Sequence, residues 1–103
     1  MKSERIKLLE QFVTDDPSNP FNHYALALEL MKSDKNQAKK IFDWLLDEHS
    51  TYLATYYQAA VLYFELALND EAARIIEHGI VESRKQNNLK TASELRSLLD
   101  EVE

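Results

Sequence analysis

Hydrophobic residues recur at helical spacing along most of the chain, and the densest stretch runs from Tyr56 to Ile80. Its first half is apolar on nearly every side of a helix, which predicts a helix that is buried all round. Its second half carries the i, i+3, i+4, i+7, i+8 stripe of a helix with one buried face, namely Ala72, Ile75, Ile76, Gly79 and Ile80. The pattern therefore predicts one sandwiched helix and a second helix that covers it.

The same periodicity predicts four more helices, so that the fold class is all-α with about six antiparallel helices. The four have predicted spans of 3–14, 20–32, 36–48 and 89–101. The fourth and fifth helices of the chain are the two in the stretch from Tyr56 to Ile80; they are separated near residues 68–70, and the fifth continues to about Lys85. In the third helix the buried stripe is Ala38, Ile41, Phe42, Leu45 and Leu46, and in the sixth it is Ala92, Leu95, Leu99 and Val102. Because the fifth helix meets no breaker before Lys85, we expect it to be longer than the third.

Short polar segments separate the predicted helices. Asn19 stands before Pro20, so it is biased towards an extended backbone and is a candidate N-cap, as is Ser18. Asp34 is a candidate cap for the third helix. Asparagine tolerates the left-handed region, so the segment 86–88, Gln-Asn-Asn, is predicted to be a turn.

Composition narrows the class of protein. The 103 residues fit one domain, and the absence of cysteine fits a reducing compartment, so we expect a cytoplasmic protein. The N-terminus lacks the apolar run of a signal peptide, and Glu65, Asp70 and Glu71 interrupt the best membrane-span candidate. A net charge of −6, without a basic stripe, argues against nucleic acid as a partner.

Residues that could support catalysis or bind a cofactor do not form a recognisable constellation. No two of His23, His49 and His78 are spaced i, i+4, so no helical metal pair is predicted, and each is interpreted as a solvated or half-buried histidine. Gly79 is the only glycine, so a glycine-rich phosphate loop is absent. Trp44 lies off the main stripe of its helix and either packs on a neighbouring helix or stays partly exposed as a contact residue. No cofactor, metal or catalytic residue is therefore expected.

An internal repeat emerges when the stripes are compared. Tyr24, Leu28 and Met31 recur 33 positions later as Tyr57, Val61 and Phe64, whereas Ala38, Phe42 and Leu45 recur 34 positions later as Ala72, Ile76 and Gly79. We attribute the one-residue difference to a shorter turn in the first copy, around Ser33 and Asp34. Two antiparallel helices at this period are typical of a helical solenoid.

These residues resemble the tetratricopeptide repeat, whose helices carry W-x2-L-G-x2-Y and A-x3-F. The first copy supplies His23, Leu26, Ala27, Leu30, Ala38, Phe42, Leu45 and Ser50, and the second supplies Tyr56, Ala59, Ala60, Tyr63, Ala72, Ile76, Gly79 and Arg84. The chain departs from the pattern where His23 replaces the tryptophan, where Leu45 is large, and where both terminal prolines are missing. The segment Asp16-Pro17 looks like the end of a preceding half-repeat.

The resemblance implies a right-handed solenoid of helical hairpins in a single domain, residues 1–103. It divides into an N-terminal cap (1–16), repeat 1 (20–50), repeat 2 (53–86) and a C-terminal cap (89–103). In this family the first helices of successive repeats line a concave face. The concave stripe here is Tyr24, Leu28, Met31, Tyr57, Val61 and Phe64.

An aromatic and methionine-lined stripe suits an apolar peptide or helix. The leading interpretation is thus a non-catalytic scaffold or adaptor that binds a protein or peptide. The alternative is a homodimer formed through the same face, and the sixth helix could also cover it. An all-helical enzyme or a DNA-binding protein is a remote alternative. The basic and asparagine clamp that holds a C-terminal carboxylate in this family is not expected, because apolar residues occupy the corresponding stripe.

Overall fold

Six α-helices account for most of residues 2–102, the part of the chain that a computed structural model describes, and this part contains no strand. The helices are α1 (Glu4–Asp15), α2 (Pro20–Leu30), α3 (Lys35–Glu48), α4 (Ala54–Glu65), α5 (Asn69–Lys85) and α6 (Leu89–Val102). The all-α prediction is confirmed, and α5, with 17 residues, is longer than α3, with 14, as expected. The predicted caps 1–16 and 89–103 extend to Met1 and Glu103, which lie outside the described residues.

The helices form two compact units, the first ending at His49 and the second beginning at Ser50. In the first unit α2 packs against both α1 and α3. In the second unit α5 packs against both α4 and α6, and α4 also touches α6. The pairs α2–α3 and α4–α5 fall within the predicted repeat boundaries, whereas the single-domain organisation stays a prediction.

Burial follows the repeat. On the first helix of each pair the buried residues Leu26, Ala27 and Leu30 correspond, 33 positions on, to the buried Ala59, Ala60 and Tyr63. On the second helix Ala38, Phe42 and Leu45 correspond, 34 positions on, to Ala72, Ile76 and Gly79, which are also buried. Because small residues recur at the same places, the backbones of paired helices can approach closely. The two copies therefore bury corresponding positions.

Side-chain caps start several helices where the sequence predicts them. Asn19 accepts a hydrogen bond from the Phe21 amide at 3.0 Å, with Pro20 in the first turn of α2. Asp34 accepts from the Gln37 amide at 3.1 Å and begins α3. Each carboxylate or amide oxygen satisfies an N–H that has no partner within its own helix.

Left-handed residues end α4 and α5. Ala67 has φ 62°, and around it the Leu68 amide donates to Tyr63 O at 2.9 Å and the Ala67 amide donates to Phe64 O at 3.0 Å. These two bonds define a Schellman motif. Asn87, with φ 58°, ends α5 in the same way, so the turn predicted at 86–88 is confirmed. The left-handed alanine was not predicted, because alanine carries no signal for that conformation.

The predicted origin of the one-residue offset between the copies is wrong. The connection of α2 to α3 spans residues 31–34, which is longer than the connection of α4 to α5, residues 66–68. The extra residue of the second copy lies in α4, which has 12 residues against 11 in α2. The α2 helix stops at Leu30 rather than Lys32 because the Lys32 and Ser33 amides donate to carbonyl oxygens three residues back, Glu29 O at 3.2 Å and Leu30 O at 3.0 Å, which departs from the i to i−4 pattern.

Several predictions of burial also need correction. Three residues of the predicted buried stripes are only half-buried, namely Ile41 and Leu46 of α3 and Ile75 of α5. The α4 helix is not buried all round, because Tyr57 is 37 % exposed and Val61 and Phe64 are only half-buried. In α6 the fourth core residue is Leu98, whereas Val102 is 46 % exposed. Its side chain is open to solvent although its helical phase matches the buried face of α6.

Gly79 of α5 faces Tyr56 of α4 and Leu95 of α6 at short range. A Cβ atom built on Gly79 would stand 2.8 Å from Leu95 Cδ1 and 2.8 Å from both Cβ and Cγ of Tyr56. The Tyr56 atoms are attached near the backbone and cannot rotate away. The close-packing role predicted for Gly79 is therefore confirmed.

Candidate functional site

The predicted contact residues of the first unit form one ridge on α2. Tyr24, Leu28 and the C-cap residue Met31 are spaced i, i+4, i+7, so they lie within about 60° of one another around the helix. All three are half-buried. The Tyr24 ring leans on the core, with its centroid 6.4 Å from that of Phe42 and the planes tilted by 58°. This ridge, the α2 ridge, is thus supported from below by the hairpin core.

The second unit carries an equivalent ridge on α4. Tyr57, Val61 and Phe64 have the same spacing, and we call them the α4 ridge. Val61 and Phe64 are half-buried, whereas Tyr57 is among the exposed large hydrophobic residues at 37 %. Each ridge therefore runs beside a buried stripe of its own helix but keeps part of its apolar surface open.

A pair of polar contacts that sequence reasoning missed ties the first helix of each hairpin to the loop before it. His23 Nε2 lies 2.7 Å from the carbonyl oxygen of Pro17, and since that oxygen only accepts, Nε2 carries the proton and donates. Tyr56 lies 33 positions after His23, and its hydroxyl donates to the carbonyl oxygen of Ser50, also at 2.7 Å. Ser50 in turn lies 33 positions after Pro17. Two different rings thus make the same contact at the position where the repeat pattern has tryptophan.

Electrostatic shifts are few. Burial raises the pKa of the Tyr56 hydroxyl, and the neighbouring Glu82 carboxylate raises it further. Burial also raises the pKa of Tyr52. On α2, the hydrogen bond from Lys32 lowers the pKa of Glu29 against a smaller opposing effect of desolvation, and Arg5 lowers it further. Lys32 Nζ lies 3.1 Å and Arg5 Nε 3.4 Å from Glu29 Oε2, so these charges form a surface network on the first unit.

Trp44 is the centre of a ring cluster in the first unit. Its ring centroid lies 4.4 Å from that of His23 and 5.2 Å from that of His49. The sequence left open whether Trp44 packs on a neighbouring helix or stays partly exposed. Both hold in part, because Trp44 packs on the His23 ring of α2 yet remains 38 % exposed. The contact with His49 could have been suspected from their closeness in sequence, but His23 comes from another helix and only the fold brings it there.

Residues 2–102 hold no group of three or more histidine, cysteine or acidic side chains placed to bind a metal ion. Within the same residues, none of the helices combines the length and the apolar character needed to cross a membrane.

Comparison with known proteins gives a consistent result. A solution NMR structure of a tetratricopeptide repeat domain protein from Salinibacter ruber matches with 35% sequence identity and a TM-score of 0.81, covering 85% of this chain and 90% of that one. A crystal structure of the tetratricopeptide repeat domain protein from the same organism matches with 33% identity and a TM-score of 0.74, covering 79% and 92%. No family model matches the chain, and no curated protein matches it.

Proposed function

Because the chain belongs to the tetratricopeptide repeat family, we propose that it is a non-catalytic scaffold or adaptor that binds a protein or peptide through the α2 and α4 ridges. The fold of this family is generally a non-catalytic scaffold, and helical repeats commonly bind partners along their helices. Without cysteine, the chain suits the reducing cytoplasm, which we propose as its location.

One observation supports the choice of ridges. Tyr24, Leu28 and Met31 on α2, and Tyr57, Val61 and Phe64 on α4, are apolar side chains that the packing of their own hairpins leaves partly open. Tyrosine, phenylalanine and methionine are enriched where proteins contact one another, because they offer a large contact area. Among the aromatic residues of the two ridges, Tyr57 is the most exposed, so it is the first candidate for an anchor of partner binding.

A photo-crosslinking experiment tests the proposal directly. A photoreactive phenylalanine analogue replaces Tyr57 in the native cell, and crosslinked partners are identified by mass spectrometry. The matched control carries the same analogue at Glu94, an exposed position on α6. We expect specific partners to be captured only from position 57, and Val61→Asp to abolish that capture. Equal capture from both positions would contradict the α4 ridge as a binding surface.

The same surface could instead make a homodimer, and sedimentation at several protein concentrations separates this alternative. A partner-binding monomer keeps one sedimentation coefficient at all concentrations. A dimer dissociates on dilution, Tyr57→Ala yields monomer, and the melting temperature rises with concentration. Crosslinks from position 57 to a second copy alone would favour the dimer.

A further inference from the structure

A second candidate site lies on the first unit and shares no residue with either ridge. Trp44, Ile41, Lys40 and Gln37 of α3 and His23 of α2 line an open cleft of about 360 Å³, which we call the Trp44 cleft. The α3 residues are spaced i, i+3, i+4, i+7, so they form a continuous strip along one face of the helix. None of them belongs to the set Ala38, Phe42 and Leu45 that is buried against the hairpin core. The volume is large enough for one large aromatic side chain.

The aromatic wall of the cleft is fixed before any ligand arrives. The Trp44 indole contacts the His23 and His49 rings, and His23 is itself anchored to the Pro17 carbonyl oxygen at 2.7 Å. Trp44 nonetheless keeps 38 % of its surface exposed. A large aromatic surface that is immobilised but open loses little conformational entropy on binding, which is the property of a preorganised contact site.

The charge at the cleft is also distinctive. Lys39 pairs with Asp43 at 3.0 Å, whereas no carboxylate of residues 2–102 forms an ion pair with the adjacent Lys40. The Lys40 ammonium beside an apolar wall, in a chain of net charge −6, provides local complementarity for a carboxylate. The Gln37 amide adds donor and acceptor groups to the same lining.

We propose that the Trp44 cleft binds an aromatic side chain of a partner protein that is flanked in sequence by aspartate or glutamate. The ring stacks on the Trp44 indole and fills the apolar part of the cleft. The neighbouring carboxylate pairs with the Lys40 ammonium. This contact is independent of the α2 and α4 ridges, so it gives the domain a second recognition point on the first unit.

Trp44 is the only tryptophan of the chain, so its fluorescence reports occupancy of the cleft. The probe is the blocked peptide acetyl-Asp-Phe-Asp-amide, which does not absorb where tryptophan is selectively excited. We expect a saturable change in Trp44 emission, with a dissociation constant on the order of 1 mM for so small a ligand. Acetyl-Asp-Ala-Asp-amide should bind at least about tenfold more weakly because it lacks the ring. Acetyl-Asn-Phe-Asn-amide should bind about two- to fivefold more weakly because it lacks the charge.

Matched variants separate recognition from folding. Lys40→Gln should weaken binding of the acidic peptide about two- to fivefold and leave binding of the asparagine peptide unchanged. Lys39→Gln removes the same charge and should leave the affinity for both peptides unchanged. Trp44→Ala should abolish the amide chemical-shift changes that the peptide causes along α3. A fold check by circular dichroism accompanies each variant, and Trp44→Phe, which keeps a ring, should retain weak binding.

Three results would overturn the proposal. The first is no saturable response to the acidic peptide. The second is equal binding of the acidic and asparagine peptides, which would mean an apolar cleft without charge recognition. The third is equal binding of the phenylalanine and alanine peptides, which would mean nonspecific attraction of anions. Tyr57→Ala should leave all of these titrations unchanged, so failure here is distinguishable from failure of the ridge proposal.

Discussion

The two hairpins differ in how their connections are stabilised. Between α2 and α3 the Asp34 side chain caps α3. Between α4 and α5 the backbone turns through the left-handed Ala67, and no side-chain hydrogen bond caps α5. The cores that these connections serve are equivalent. Phe42 and Ile76 are both 0 % exposed, and Ala38 matches Ala72. Equivalent packing is thus reached through different local interactions, which indicates that helix packing, rather than the turn, defines the repeat.

The ring contacts to the preceding loop show the same relation. His23 and Tyr56 share neither size nor chemistry, yet each donates to the carbonyl oxygen 6 residues before it. What the position requires is a ring with a donor at the right reach. Two different side chains thus make the same hydrogen bond at the place where the family pattern has tryptophan.

The largest expected effect tests whether the two cores are equivalent. Phe42→Ala should lower the free energy of unfolding by about 3–5 kcal/mol, and Ile76→Ala by about 2–5 kcal/mol, because each leaves a cavity in a fully buried place. Urea denaturation measures both changes, with Glu77→Ala on the exposed face of α5 as a control that should change little. A small loss at only one of the two positions would show that the copies differ in packing.

Gly79 is where the two hairpins differ most, since the equivalent residue, Leu45, is large and fully buried. Gly79→Leu should destabilise by roughly 1–3 kcal/mol through overpacking against Tyr56 and Leu95. Gly79→Ala is the sharper test. Alanine favours the helix over glycine by about 1 kcal/mol, so a net loss on thermal denaturation isolates the steric clash. A higher melting temperature for Gly79→Ala would mean that the helices separate easily there.

Tyr56→Phe removes the hydroxyl that donates to Ser50 O and should cost about 1 kcal/mol at neutral pH. Its pH dependence is informative because the pKa of Tyr56 is raised in the folded state. The folded protein then holds the phenolic proton more tightly than the unfolded chain does. That stabilisation is complete below the ordinary pKa of 10.0 and is lost as the pH rises through the folded-state pKa.

We therefore expect chemical denaturation to show a decline in stability above about pH 10 that is shallower in Tyr56→Phe than in the original chain. Part of the decline should persist, because burial also raises the pKa of Tyr52. An identical pH profile for both proteins would contradict the assignment to Tyr56.

The smallest effect concerns the ends of α4 and α5, and it is a gain. Ala67 holds φ 62°, a conformation that disfavours a residue with a Cβ atom by about 1–2 kcal/mol relative to glycine. Since glycine also loses more entropy on folding, Ala67→Gly should stabilise by only about 0.5–1 kcal/mol. The matched variant is Asn87→Gly at φ 58°, where the gain should be smaller because asparagine tolerates this region. Differential scanning calorimetry compares the two, and a loss of stability in Ala67→Gly would contradict the reasoning.

The sequence by itself determined the number and class of the helices, because an apolar stripe at helical spacing can be buried in few other ways. It also determined the caps at Asn19 and Asp34, the turn at 86–88 and the close-packing role of Gly79, since these depend on local chemistry. Periodicity alone identified the repeat, because both copies keep the same residues buried. The ridges on α2 and α4 follow from the sequence as sets of residues, and their role in binding stays a proposal.

Only the tertiary structure decided which apolar residues remain open. The helical periodicity predicts burial of Tyr57 and Val102, but both are exposed. Their exposure depends on which neighbouring side chains reach that part of the helix. The left-handed conformation of Ala67 accompanies the backbone hydrogen bonds that end α4, and alanine as a residue type gives no signal for that conformation. The Trp44 cleft likewise exists because α2 carries His23 to a ring on α3, 21 positions later in the chain. Contacts between helices are set by packing in three dimensions, and a one-dimensional pattern does not contain them.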